Sequence, residues 1–67
     1  MITSDRDSIK AEITRQYHYF VNTQRWIDTY SLDCLEHLYA QYEEYGGNSF
    51  IHTLMDEIRA LPKSPQT

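Results

Sequence analysis

"LEHLYAQYEEYGGN", residues 35–48, decides how this chain folds. Three tyrosines, three glutamates and a double glycine crowd into fourteen residues. The stretch reads either as a surface of aromatics and acids or as the end of a packed helix. At about 100° per residue, Leu32, Leu35 and Leu38 set one apolar arc on a helix. Tyr39 and Tyr42 fall inside that arc and Tyr45 at its edge, as core tyrosines do when only the hydroxyl reaches the rim. The acids fall elsewhere: Asp33, Glu36, Glu43 and Glu44 share one flank within about 100° of arc, and His37 adjoins it. Gly46 or Gly47 supplies the left-handed residue that ends a helix without steric cost. The stretch is therefore a packed stripe beside a negative strip, followed by a stop.

Working outward, Asp28 is placed to cap this helix, with Ile27 and Leu32 at the spacing of a hydrophobic staple. The helix is predicted over about 29–45. Before it, Ile9, Ile13, Tyr17, Phe20 and Val21 share one face, with Ser4 as cap and Asp7 near the positive end. That pattern fades at Asn22-Thr23 and predicts a helix over about 4–23. After the glycines, Asn48 caps a third helix whose stripe is Phe50, Leu54, Ile58 and Leu61, with Ile51 and Met55 beside it. Pro62 pushes Leu61 away from helical geometry, so this helix is predicted over about 49–60. A frayed polar tail, 62–67, is expected beyond it. No strand pattern competes, and both connections are short. The expected fold is all-α, a compact three-helix bundle forming one domain over 1–67.

Sixty-seven residues leave little buried surface, and the single cysteine, Cys34, offers no internal disulfide staple. A lone cysteine fits a reducing setting. The opening "MITSDRDSIK" has no apolar core and is not expected to act as a signal peptide. No apolar run approaches the roughly twenty residues a membrane span needs. The net charge is −4, and its distribution is uneven. Residues 26–58 hold seven acids (Asp28, Asp33, Glu36, Glu43, Glu44, Asp56, Glu57) and no lysine or arginine. Such a stretch repels phosphate, which argues against direct nucleic-acid binding through it.

No Gly-rich phosphate loop, Ser/His/Asp set or paired metal motif is present. Cys34 and His37 are three apart on one helix, and Asp33 or His52 can complete a ligand set only if the fold gathers them. One visible ligand pair falls short of the two that structural zinc sites show, so no metal, cofactor or catalytic residue is assigned. His52 and Asp56, four apart with Arg59 nearby, read as a surface pair. His18 lies outside the apolar arc of the first helix. Tyr19 lies well away from that arc, between Glu12 and Arg15, where an exposed tyrosine can anchor a partner. Trp26, in the first connection, reads as cover for one end of the bundle.

From Trp26 to Pro62 the chain can be written W-I-D, then L-x-x-L-x-x-L-Y-x-x-Y, G-G-N and L-x-x-x-I-x-x-L-P. This run resembles short, uncharacterised helical proteins carried by bacteriophages and prophages, most closely at "GGNSFIHTLMDEIRALP". The similarity covers about half the chain and rests on caps and core positions, so it carries no functional residue with it. It implies a phage or mobile-element accessory protein in the host cytoplasm, of a kind that binds and blocks a host protein, including defence nucleases.

The resulting expectation is a non-enzymatic interaction module. Asp33, Glu36, Glu43 and Glu44 form the face for a larger protein with a basic surface, and Tyr19 is a possible anchor. A homodimer is expected as well, since nine aromatics exceed what so small a core can bury. The alternatives are an assembly component acting mainly as a homo-oligomer, and a small metal- or thiol-dependent enzyme.

Overall fold

In the computed structural model, residues 5–47 and 49–65 are described. Three α-helices appear in chain order: α1, Asp5–Tyr17; α2, Thr29–Glu44; and α3, Ser49–Arg59. No strand occurs among the described residues. The chain is an all-α three-helix bundle. Two of the predicted caps, Ser4 and Asn48, lie outside the described residues.

α1 does not stop where its α-helical hydrogen bonding ends. It continues as a π-helical segment, His18–Gln24. The wider turn has its own side-chain stacking: the Tyr19 hydroxyl donates to Gln24 Oε1 at 3.0 Å across five residues. In an α-helix, residues that far apart do not face each other. Arg25 then takes the left-handed conformation, φ 68°. Its N–H donates to the Phe20 carbonyl at 2.7 Å, closing the segment. Of the helix predicted over 4–23, the described part is helical from Asp5 through Gln24, with two kinds of winding.

The entry to α2 follows from Asp28. Its Oδ2 accepts from the Ser31 N–H and its Oδ1 from the Ser31 hydroxyl, both at 2.9 Å. These bonds favour the ionised carboxylate and hold its pKa below the ordinary aspartate range, the backbone N–H being the largest cause. α2 ends at the double glycine, where both residues have positive φ, 105° at Gly46 and 58° at Gly47. The Gly46 and Gly47 N–H groups donate to the carbonyls of Glu43 and Tyr42. Both glycines thus serve the stop that the sequence assigns to one or the other.

α1 lies against both other helices, whereas α2 and α3 approach each other least closely. The core gathers Ile9, Ile13 and Phe20 from the first helix and its π extension, and Leu35 and Tyr42 from α2. Ile51, Leu54, Met55 and Ile58 join from α3, with Ile27 from the first connection. Tyr42 is fully buried with Leu35, as the arc predicts. No buried side-chain nitrogen or oxygen among the described residues lacks a hydrogen-bond partner.

One expectation is corrected. Phe50, placed on the buried stripe of α3, is 55% exposed. The buried stripe is Ile51, Leu54, Met55 and Ile58, which places Phe50 at its edge in the first turn, where no other helix covers it. Of the tail expected over 62–67, residues 66 and 67 lie outside the described residues, and its first two residues make contacts with the rest of the chain. The Ile27 N–H donates to the Pro62 carbonyl at 3.0 Å. Lys63 Nζ donates to the carbonyls of Arg59 and Leu61 at 3.0 and 2.7 Å, which suits a cation at a helix C-terminus.

Candidate interaction surface

The α2–α3 side is built from long polar side chains, because the two helices stand apart there. Arg59, in the last turn of α3, reaches across to Glu36. Its Nε and one terminal nitrogen donate to the two carboxylate oxygens at 2.6 and 2.7 Å. The guanidinium also lies over the Tyr39 ring, 5.4 Å from its centroid, and 3.5 Å from Asp56 Oδ1. The Arg59 hydrogen bonds are the main reason that Glu36 has a lowered pKa and Arg59 a raised one. Tyr39 shares its hydroxyl with His52 Nδ1 at 3.0 Å, and His52 Nε2 stands 3.5 Å from Asp56. Desolvation first, and then hydrogen bonding with Glu43, raises the Tyr39 pKa.

This network divides the acidic strip. The sequence offers no cation on α2 to relieve the four carboxylates, but the fold brings one from α3. Glu36 is half-buried and held by Arg59. Glu43 is exposed and interacts with Tyr39. Asp33 and Glu44 are exposed on the outward side of α2, and His37 lies between them along the helix. The His37 ring nitrogen Nδ1 sits 2.9 Å from the Asp33 carbonyl and 3.7 Å from its carboxylate. Asp33, Glu43 and Glu44 are therefore presented to solvent, and Glu36 has a structural partner.

Tyr19 is 48% exposed, as its position off the apolar arc predicts, with its ring edge-on to Phe20. Tyr30 was missed. Among the described residues it is the most exposed large hydrophobic one, at 77%, and lies in the first turn of α2 on the side away from Leu35 and Tyr42. The periodicity that buried Tyr42 could have placed Tyr30 outside. Tyr45 is 50% exposed beside the glycine turn. Trp26 is partly covered, and the carbonyl of that residue accepts from Gln24 Nε2 at 2.8 Å.

On the first helix, Glu12 receives Arg15 and Gln16, the Gln16 amide being the larger cause of its lowered pKa. His18 pairs with Asn22 at 3.2 Å. The Tyr17 hydroxyl donates to Glu57 Oε1 at 2.7 Å, tying α1 to α3 and raising the tyrosine pKa. Cys34 is an exposed free thiol. The described residues gather no set of three histidine, cysteine, aspartate or glutamate side chains able to hold a metal ion. They enclose no pocket. Among the described residues no helix is long and apolar enough to cross a membrane. Comparison with protein-family models, with curated proteins and with solved structures finds no match to this chain.

Proposed function

We propose that this chain is a non-enzymatic interaction module that binds and occludes a larger protein through the acidic side of α2. One observation carries the reading: residues 26–58 contain seven acids and no lysine or arginine, and Asp33, Glu43 and Glu44 stand exposed on one helix. A rigid helix that presents unrelieved negative charge attracts a basic surface over a long range and disfavours wrong partners. The partner is a protein whose positive surface serves nucleic-acid binding. The resemblance to phage-borne helical proteins supports a host protein as the target. Tyr19 supplies a second, aromatic contact. Glu36 belongs to the reading as a contributor to the field, its carboxylate being already engaged with Arg59.

The test is a comparison of association rates. A partner captured from bacterial lysate is mixed with the parent and with a variant carrying Asp33→Asn, Glu43→Gln and Glu44→Gln. Glu36 is left intact so that the α2–α3 bridge survives. The variant should keep its helical circular-dichroism spectrum, associate more slowly at low ionic strength and lose most of its salt dependence. Equal rates for parent and variant in low salt would reject the acidic face.

A second reading, self-association into a homodimer, is favoured by a different observation. Tyr19, Tyr30, Tyr45 and Phe50 are all about half exposed or more. Pairing of two copies buries aromatic surface that one small chain cannot cover.

A further inference from the structure

The molecule contains its own example of how α2 grips a guanidinium. Glu36 and Tyr39 stand three residues apart on this helix. The carboxylate takes Arg59 in two parallel bonds at 2.6 and 2.7 Å, and the Tyr39 ring offers its face to the same cation at 5.4 Å. Both contacts are possible at once because a guanidinium is planar and forked, so its edge can meet the acid while its face meets the ring. An ammonium is a point charge without a plane and cannot reproduce the arrangement.

The outward side of α2 carries a tyrosine and a carboxylate at the same spacing, in reversed order and with the shorter aspartate as the acid. Tyr30 and Asp33 are three residues apart, and on a helix such positions are neighbours, with Cβ atoms about 5–6 Å from each other. Tyr30 is 77% exposed, and the Asp33 side chain is 71% exposed. His37 stands 3.7 Å from one Asp33 oxygen and is itself open to solvent, so the carboxylate remains accessible. Among the described residues no arginine pairs with Asp33, whose one ion-pair partner is His37, and Arg59 is committed to Glu36.

The geometry points to Tyr30 and Asp33 as a docking point for one arginine side chain of the partner protein, held edge-on by the carboxylate and face-on by the phenol ring. The inference rests on the acidic-face reading and adds to it the kind of side chain that the partner presents. Charge complementarity selects a cation, and the exposed ring beside the acid selects arginine over lysine.

Oligo-arginine and oligo-lysine peptides of equal length and spacing are the probes. Each is titrated into the isotopically labelled full chain at low ionic strength, and affinity is read from amide shifts. The parent should bind the arginine peptide about two- to fivefold more tightly. The shifts peculiar to the arginine peptide should centre on Thr29 to Cys34. Tyr30→Ala should erase the arginine preference, and Tyr30→Phe, which keeps the ring, should retain it. Both variants change an exposed position, and a parent-like circular-dichroism spectrum verifies their fold. Equal affinity of the parent for the two peptides, or a preference that survives Tyr30→Ala, would overturn the arginine site and leave the acidic face standing. Failure of the parent to bind either peptide would overturn both.

Discussion

Single side chains set much of the stability of so small a domain. Leu35 is fully buried and Leu54 nearly so. Leu35→Ala or Leu54→Ala should each cost about 2–5 kcal/mol, read as a large drop in the thermal midpoint by circular dichroism. Two backbone positions offer subtler tests. Gly47 has φ 58°, and a Cβ there would meet the Glu43 carboxylate. That carboxylate is the end of a flexible side chain and can swing away, so the lasting penalty of Gly47→Ala is the left-handed backbone, about 1–2 kcal/mol. Arg25 bears the same strain with a side chain in place. Arg25→Gly relieves it but adds freedom to the unfolded chain, and the balance should be a gain of at most about 1 kcal/mol in a denaturant melt. At this scale the sequence was legible wherever periodicity alone decides. Leu35, Tyr42, Leu54 and Ile58 are inside as their spacing requires. Phe50 was not legible, because its exposure depends on where its neighbours end. Nor was Arg25, since nothing in its side chain announces a left-handed residue.

The helices were readable as elements because their signals are local. Asp28, the double glycine and Pro62 each act within a few residues, and they mark the boundaries of α2 and α3 well. The π-helical winding after Tyr17 is not announced by the apolar spacing, which fits an α-helix through the same residues. The bridge from Arg59 to Glu36 crosses 23 residues, so a reading of α2 alone finds four unrelieved acids where the fold leaves three. That bridge predicts a pH dependence. Arg59 lowers the Glu36 pKa in the folded state, so the folded carboxylate binds its proton less readily than the unfolded one. The stabilisation is complete above the ordinary glutamate value of about 4.3 and is lost as pH falls through the lower folded value. Asp28 and Glu12, also lowered, act in the same direction. Glu36→Gln should therefore flatten part of the acid limb of a stability–pH curve measured by urea unfolding. In a double-mutant cycle with Arg59→Gln at neutral pH, the coupling should be about 0.5–1 kcal/mol, because water still reaches the pair. An acid limb of unchanged slope in Glu36→Gln would show that the bridge contributes nothing in solution.

For the molecule as a whole, four exposed aromatics on so small a body predict self-association. Sedimentation equilibrium at high micromolar concentration should show a dimer, and Tyr45→Ser with Phe50→Ser should shift it towards monomer. A parent that stays monomeric would reject the pairing. The bond from Ile27 to Pro62 has a consequence of another kind. It joins the first connection to the segment after α3, so the chain from 27 to 62 forms a ring closed at its neck by one backbone contact. The amide hydrogen at that neck can trade with deuterium only when the neck opens. Its exchange rate is therefore a private clock for departure of the end segment, separate from the melting of any helix. In the intact chain it should run as slowly as amides in the middle of α2. Removing the residues from Pro62 onward should make it run fast while the α2 amides keep their pace.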